Sequence, residues 1–380
     1  ERRKRKKLKK TLALILSLIL SIGLLSGCVS TRDDTTPLSN DGETASGDTS
    51  EESTTGGVVN VYNWGEYIDE SVLDDFEAAT GIKVNYQMYD SNEAMYGKIA
   101  GGGGSDYDVV IPSDYMIARM IEEDMLEPLN FDNIPNFADI DPELKNPEYD
   151  PENLYSVPYM WGLMGVIYNT TMVDEADLGS WDLMWNEKYA DNIVMIDNSR
   201  DAIGIALKRL GYSYNTTDAA QITEAVDTLI QQKPILQGYA MDEIFGKMEG
   251  ANAAIGTYYY GDYLTMVENN PDLGFYIPEE GTNIYVDAMC ILKDAPNKAN
   301  AEAFINFMCS TEAGLKNCEE IWYSSPLLSV REALDPEVSS DPYAYPDETI
   351  MAQCESYAGL PQETLDLYDS EWTRLKSAAN

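Results

Sequence analysis

From Val58 onward, apolar stretches of strand length alternate with stretches whose apolar residues recur at helical spacing. This alternation limits the folds open to the chain more than any other feature. "VVNVYN" (58–63) precedes "DESVLDDFEAAT" (69–80), in which Val72, Leu73, Phe76 and Ala79 mark one helical face. Gly81 offers a stop before the next strand, "IKVNYQM". "EAMYGKIA" reads as a short helix and "YDVVIP" as a strand running into the helical "SDYMIARMIEED". The intervening glycines, 101–104, read as a loop: no Lys-Ser or Lys-Thr follows them, and Asp106 and Asp108 would repel a phosphate. A second series begins at Gly165, with "GVIYN", "NIVMID", "ANAAIGTYY" and "LGFYIP" as strands and "DAIGIALKRLGY" and "DAAQITEAVDTLIQQ" as helices. Between the series lies "NPEYDPENLYSVPYMWG", whose prolines and aromatics suit an ordered crossover. The pattern predicts two α/β halves.

In open α/β sheets ligands bind beyond the carboxyl ends of strands, and unusual clusters fall there. "NWGEY" follows the first strand, "PSDY" follows "YDVVI", "DNSRD" follows "NIVMI" and "YYYGDY" follows "ANAAIGT". Tyr285 and Asp287, two apart in "NIYVDAM", share one face of an extended run. Each cluster has a structural explanation of its own. Trp64 and Tyr67 could cap the core, Glu66, Asp69 and Glu70 suit a helix N-terminus, and Ser113 or Asp201 could be N-caps. Five clusters of aromatics and carboxylates at strand ends, drawn from both series, point together to a site between two domains.

Charge and composition restrict what that site can hold. The chain of 380 residues carries a formal net charge of −41, although eight of its 25 basic residues fall in the first ten. The remainder has 17 basic against 65 acidic residues, a net of −48. Such a surface excludes nucleic acid as a partner, because backbone phosphates need a basic footprint. It serves solubility and also favours cations. The chain has no histidine, which removes His-dependent triads, His-ligated metals and imidazole acid–base chemistry. No metal or cofactor motif is found. Cys290, Cys309, Cys318 and Cys354 show no zinc spacing; an even number permits a disulfide, with no connectivity readable. Cys290 and Cys309 lie in apolar runs and read as buried small hydrophobes.

Residues 1–28 read as an export signal: a basic start, the apolar stretch "TLALILSLILSIGLL", then "LSGC". That ending resembles the lipobox of bacterial lipoproteins, a likeness that implies cleavage before Cys28 and lipidation of its new N-terminus. Residues 29–57, rich in Ser, Thr, Asp, Glu and Gly, are expected to form a disordered tether. The first residue is Glu, so the true start of the chain is left open.

Carboxylates at the ends of a slot can pair with ammonium groups, while Trp and Tyr faces cover methylenes and attract cations by about 0.5–2 kcal/mol each. A linear polyamine fits. Charge-assisted hydrogen bonds to its ends would add about 1.5–3 kcal/mol each, enough to reach the roughly −8 kcal/mol of micromolar binding after the costs of association. An uncharged sugar would not need so many acids.

"VYNWGEYI", "TGIKVNYQMYDSNEAMYGKI", "YDVVIPSDYM", "YSVPYMWG", "RLGYSYNTTD" and "YVDAMCIL" resemble, in that order, the bacterial spermidine/putrescine-binding proteins of polyamine ABC importers. The resemblance runs from about Val58 to Lys376. It implies an α/β two-lobed periplasmic-binding-protein fold of type II, each lobe a mixed sheet flanked by helices. Lobe one would take 58–164 and 287–330, and lobe two 165–286 and, with C-terminal helices, 331–380. The likeness places the aromatic-acidic turn on Trp64, Glu66 and Tyr67, and the next loop on Ser113 and Tyr115. It places the distal polar pair on Asn198 and Asp201, wall aromatics on Tyr259 and Tyr285, an internal acid on Asp287 and a late tyrosine on Tyr323. Glu66 would hold one terminal ammonium, Asp287 an amine within the slot, and Asp201 the far end. Several positions depart from the pattern. Gly65 replaces a hydroxyl residue, Tyr replaces Trp at Tyr259 and Tyr285, and Asn198 replaces the usual Asp, with Asp197 adjacent. Near Tyr357 the register is not fixed, and no contact is assigned there.

The resemblance therefore implies a monomeric, lipid-anchored extracytoplasmic carrier that captures spermidine or putrescine, spermidine slightly preferred, and delivers it to permease subunits of an ABC importer. It implies no catalysis and no cofactor. Two alternatives stay open: the same fold carrying another small solute, such as a sugar, an amino acid or, through "TYYYG", a ferric chelate, or an extracellular carbohydrate-active enzyme using two of the carboxylates.

Overall fold

Two apolar stretches buried almost throughout, Ser156–Asn169 and Asn283–Leu292, set the architecture, because a strand buried on both faces must run through the middle of a sheet. The computed structural model describes residues 56–65 and 67–378; the export signal with Cys28, nearly all of the tether, and Glu66 lie outside the described residues. The strands are β1 (Val58–Trp64), β2 (Lys83–Tyr89), β3 (Val109–Val110), β4 (Leu126–Glu127), β5 (Ser156–Asn169), β6 (Ile193–Ile196), β7 (Leu236–Ala240), β8 (Ile255–Tyr259), β9 (Leu273–Tyr276), β10 (Asn283–Leu292) and β11 (Glu355–Ser356). They form one hydrogen-bonded path, β2-β1-β3-β10-β5-β8-β6-β7, with β4 and β11 added to β10 and β9 to β5.

Strand β5 belongs to both halves of this path. Ser156–Leu163 pair antiparallel with β10, whereas Met164–Asn169 pair with β8 and β9. On one side, β1 runs parallel to β2 and β3, and β10 runs antiparallel to β3. On the other, β6 runs parallel to β7 and β8. The strand ends that carry the clusters are thereby brought toward the stretch where β5 changes neighbours.

The helices begin and end where local chemistry dictates. In α1 (Ser71–Thr80), Val72 and Phe76 are buried, Leu73 is half-buried and Ala79, expected on the same face, is exposed. Gly81, at φ +72°, closes the helix in the left-handed region and donates its N–H to the Glu77 carbonyl. Then follow α2 (Asn92–Lys98), capped by Ser91, α3 (Asp114–Glu122), α4 (Ser199–Arg209), α5 (Ala219–Gln232), α6 (Glu243–Glu249), α7 (Tyr260–Asn269), α8 (Lys298–Met308) and α9 (Thr311–Ile321).

Three segments differ from the sequence expectation. The second half of the aromatic-rich crossover, from Ser156, is the start of β5, which reaches 14 residues because its side chains are covered on both faces. The glycines at 101–103 extend α2 within a π-helical turn, Ile99–Gly103, and Gly104 opens a 3-10 turn, Gly104–Asp106, rather than a simple loop, with Gly102 at φ +101°. Strand β7 carries too weak a periodicity to be read, its edge position leaving Gln237 exposed and a bulge opposite Ile193 and Val194.

Cys290, Cys309, Cys318 and Cys354 are all free thiols, and burial pushes Cys309 and Cys318 up to about 12. Among the described residues no helix is long and apolar enough to cross a membrane, and no group of three or more His, Cys, Asp or Glu could hold a metal.

Candidate ligand-binding site

Asp287 sits where the ladder between β10 and β5 is interrupted. The register against β5 shifts between Asp287 and Ala288, opposite Met160 and Pro158, leaving Tyr159 as the extra residue of a bulge. Proline has no N–H for the ladder, so a bulge is a natural place for it. The freed backbone bridges instead to Ser113, with the Ala288 N–H donating to the Pro112 carbonyl. The loop after β3 is thus held against the acid. Ser113 Oγ donates to Asp287 Oδ1 and Tyr67 Oη to Asp287 Oδ2, both at 2.6 Å. Tyr67 is itself fixed by Tyr159, whose hydroxyl donates to its carbonyl at 2.7 Å. Burial pushes Asp287 up to about 6, against the pull of these two donors.

Asp201 lies in the first turn of α4, and Asn198 begins that helix. The Asn198 side-chain oxygen accepts from the Arg200 and Asp201 N–H groups at 3.0 and 3.2 Å, so it works as an N-cap that presents Asp201. Neighbouring Asp197 pairs with Lys376 at 2.6 Å. The Asp201 carboxylate accepts from Tyr259 Oη at 2.7 Å and Tyr357 Oη at 2.8 Å. Burial raises it also to about 6, again opposed by the hydroxyls. Tyr357 reaches it because β11 pairs parallel with the start of β10, Asn283 to Glu355 and Ile284 to Ser356.

A third carboxylate, Asp262, lies within the "YYYGDY" cluster and is not among the site residues expected from sequence. It stands in the first turn of α7, accepts from Tyr323 Oη and is raised by desolvation to about 7. Its signal was available: the residue three after Tyr259, in the first turn of a helix that starts at the strand end, faces the same way as the strand-end tyrosine.

The tyrosines join these acids into a belt. Tyr67 meets Tyr323 edge-on at 5.1 Å between centroids, Tyr323 meets Tyr285 at 6.0 Å, and Tyr285 meets Tyr259 at 4.9 Å. Two glycines permit this packing. A Cβ on Gly162, opposite Tyr285 across β5 and β10, would lie 2.6 Å from the Tyr285 hydroxyl, and one on Gly261 would lie 2.5 Å from the Tyr323 ring. Tyr115 packs edge-on against Tyr357 at 5.8 Å, and its hydroxyl lies 3.0 Å from both Asn92 and Glu93. Trp64 stands beside the belt, packed on Tyr89 at 4.8 Å, its indole N–H tied to the Ile111 carbonyl at 2.9 Å.

Of the residues expected from sequence, Tyr67, Ser113 and Asp287 therefore meet directly, as do Asp201 and Tyr259, with Tyr285 and Tyr323 between them. Asn198 serves the helix start, and Glu66 and Cys28 lie outside the described residues. The partners of the three acids are hydroxyls. Among the described residues the ion pairs all lie elsewhere in the molecule. An aromatic belt with buried carboxylates and no paired cation suits a ligand that brings its own positive charge.

A fold of α/β halves sharing a crossing strand, with a belt of side chains from both, defines a solute-binding protein of the periplasmic-binding-protein fold. The chain belongs to the bacterial extracellular solute-binding protein family, whose model matches residues 71–346. It is 32% identical over 316 residues to the spermidine/putrescine-binding periplasmic protein of Salmonella typhimurium, covering 83% of this chain and 90% of that protein. Among solved structures, the spermidine/putrescine ABC transporter substrate-binding protein PotD of Streptococcus pneumoniae is 41% identical with a TM-score of 0.73, covering 84% of this chain and 98% of that one. The TpPotD lipoprotein of Treponema pallidum is 26% identical with a TM-score of 0.75, over 84% and 99%. The family is one of solute-binding proteins, which sets aside the carbohydrate-active enzyme.

Proposed function

We propose that this protein is the polyamine-binding component of an ABC importer, capturing spermidine or putrescine between two lobes and releasing it to the permease. The observation that carries the proposal is the tyrosine belt joining three carboxylates, Asp287, Asp262 and Asp201, that accept only from hydroxyls in the structure described. A protonated amine replacing or joining a hydroxyl donor gives each acid a charge-assisted bond worth about 1.5–3 kcal/mol, and the ring faces cover the methylenes between. Glu66, which follows β1 in sequence, would hold one terminal ammonium. Asp262 makes up the acid that Asn198 does not supply, and spermidine is slightly preferred over putrescine. Relatives named for spermidine and putrescine support the cargo.

The lobes would comprise 58–164 with 287–330, and 165–286 with 331–380, closing by contacts that need both. Lipidation at Cys28 would anchor the carrier at the cell membrane, a reading supported by the lipoprotein from Treponema pallidum. Isothermal titration of protein unfolded and refolded to strip carried-over ligand, against spermidine, putrescine and a neutral oligosaccharide, tests the cargo. One polyamine per chain is expected, with binding lost in folded Glu66→Gln and Asp287→Asn variants; silence toward both polyamines would overturn the reading.

A further inference from the structure

Behind the Asp201 end of the belt lies a buried cation that the binding scheme does not use. Arg200 is 3% exposed, and among the described residues its Nε, Nη1 and Nη2 atoms have no hydrogen-bond partner. Its guanidinium is enclosed by three tyrosine faces, 4.7 Å from the Tyr357 centroid, 5.1 Å from Tyr368 and 5.5 Å from Tyr115. Tyr357 in turn donates to Asp201, so the charge sits one ring behind the acid. Arg200 lowers the affinity for protons of both Asp201 and the buried Asp114, whose Oδ2 is also without a partner. A guanidinium sealed from the belt cannot contact a ligand there. Its field reaches the ligand nonetheless, because burial leaves little solvent to screen it.

We infer that Arg200 limits the preference for a triamine over a diamine: its sealed positive charge offsets part of the attraction that Asp201 offers to a third ammonium. This rests on the polyamine reading above. At the Asp287 end no such cation acts on the acid among the described residues, so an ammonium there feels its carboxylate in full, whereas the third meets a carboxylate already partly compensated.

The test is titration of wild type, Arg200→Met and Arg200→Lys with spermidine and putrescine at pH 8, above the value of about 6 to which burial raises Asp201 in wild type. Removing the charge in Arg200→Met should raise the spermidine-to-putrescine affinity ratio about tenfold, the size expected for a unit charge several ångströms away in a partly screened interior. Arg200→Lys keeps the charge only where its buried ammonium stays protonated, which a pH titration of the variant reads; with the ammonium charged, the ratio should stay within about twofold. An unchanged ratio in folded Arg200→Met, or an equal shift in Arg200→Lys with its ammonium charged, overturns the inference, since the ring packing and not the charge would then matter. Wild type offers a second measurement that needs no variant. N-butyl-1,4-diaminobutane and N-pentyl-1,3-diaminopropane each replace one terminal ammonium of spermidine with a methyl group. One of them should bind within about threefold of spermidine, because the ammonium it lacks gains little beside Arg200; a loss beyond about tenfold for both overturns the inference. Wild type that binds no polyamine overturns this inference together with the cargo, while binding with an unchanged ratio overturns this inference alone.

Discussion

The two ends of the tyrosine belt hold their acids by opposite means. Asp287 sits inside a sheet at a bulge, gripped by Ser113 and Tyr67 from the loops after β3 and β1. Asp201 sits on a helix turn, set by the Asn198 cap, gripped by Tyr259 and Tyr357 and backed by Arg200. The same burial raises both to about 6. One end is therefore a bare buried anion on rigid backbone, and the other an anion partly compensated from behind. A ligand ammonium should be worth more at the bare end.

Asp287→Asn sharpens that contrast most. Removing the carboxylate should cost about 3–4 kcal/mol of polyamine affinity, several hundredfold, because the ammonium then loses its partner in a dry site. The ligand-free variant should melt no lower than wild type at pH 8, since it no longer holds an ionised carboxylate whose burial opposes folding by roughly 3 kcal/mol. Titration calorimetry and thermal melts of the same samples read both. A variant that loses stability and affinity together would show that the acid serves packing instead.

Acidification comes next. A carboxyl group raised from 3.8 to about 6 binds more protons folded than unfolded between those values, so its contribution to ligand-free stability is greatest below about pH 4 and declines as pH rises through 6. Ligand binding runs the other way, because ammonium groups need ionised acids. From pH 8 to pH 5, affinity should fall roughly a hundredfold through Asp287 and Asp201 together, measured by competition titration across that range. The lift in melting temperature given by saturating polyamine should shrink in parallel. A flat profile would mean that neither acid meets the ligand.

Asp201→Asn should cost only about tenfold, because Arg200 already offsets part of the charge being removed. A loss equal to that of Asp287→Asn would break the distinction between the ends.

How much of this was readable in the sequence follows the range of the forces involved. Strand-end clusters obey local rules: periodicity locates β1, β6 and β8, and the residues at their ends or just beyond, Trp64 and Tyr67, Asp201, and Tyr259, fall beside the belt or in it. Tyr285 and Asp287 were placed on one face by alternation alone. What could not be read depends on contacts distant in sequence. The bulge that turns Asp287 toward Ser113 is a property of β5 pairing with β10, and the reach of Tyr357 to Asp201 follows from β11 joining the sheet after more than 150 residues of intervening chain. Asn198 was expected to face the ligand because the family pattern places an acid there, but its oxygen is committed to the start of α4. Sequence alone does not mark Asp262, because a single acid in a helix's first turn is explained equally well by the helix dipole. The cap at Asn198 and the acid at Asp262 have the same local chemistry in sequence, and only the positions of Tyr259 and Tyr323 separate them.

The glycines beneath the belt give a smaller effect with a clear sign. Gly162→Ala puts a methyl group against the Tyr285 phenol and Gly261→Ala puts one against the Tyr323 ring, so each should displace a wall tyrosine. The overpacking should cost about 1–3 kcal/mol of stability, read by denaturant titration, with a matching loss of affinity. Because both rings stand midway between Asp287 and Asp201, spermidine and putrescine should weaken together; a loss confined to one of them would place its path away from the middle of the belt.

Tyr357→Phe is the finest test of the compensated end. It removes one of the two hydroxyl donors to Asp201 but leaves the ring against Arg200 and Tyr115. Loss of a neutral donor to a buried carboxylate should raise Asp201 further and weaken the ligand-free protein by about 1 kcal/mol at pH 8. An arriving ammonium replaces much of what the hydroxyl supplied, so affinity should change by no more than about threefold, in either direction. The corresponding Tyr67→Phe at Asp287 removes a donor where no cation among the described residues acts on the acid, and its ligand-free protein should lose more stability on the same pH 8 melt. Equal losses would mean that Arg200 does not reach Asp201 through the Tyr357 ring, and the two ends would then differ in architecture but not in charge.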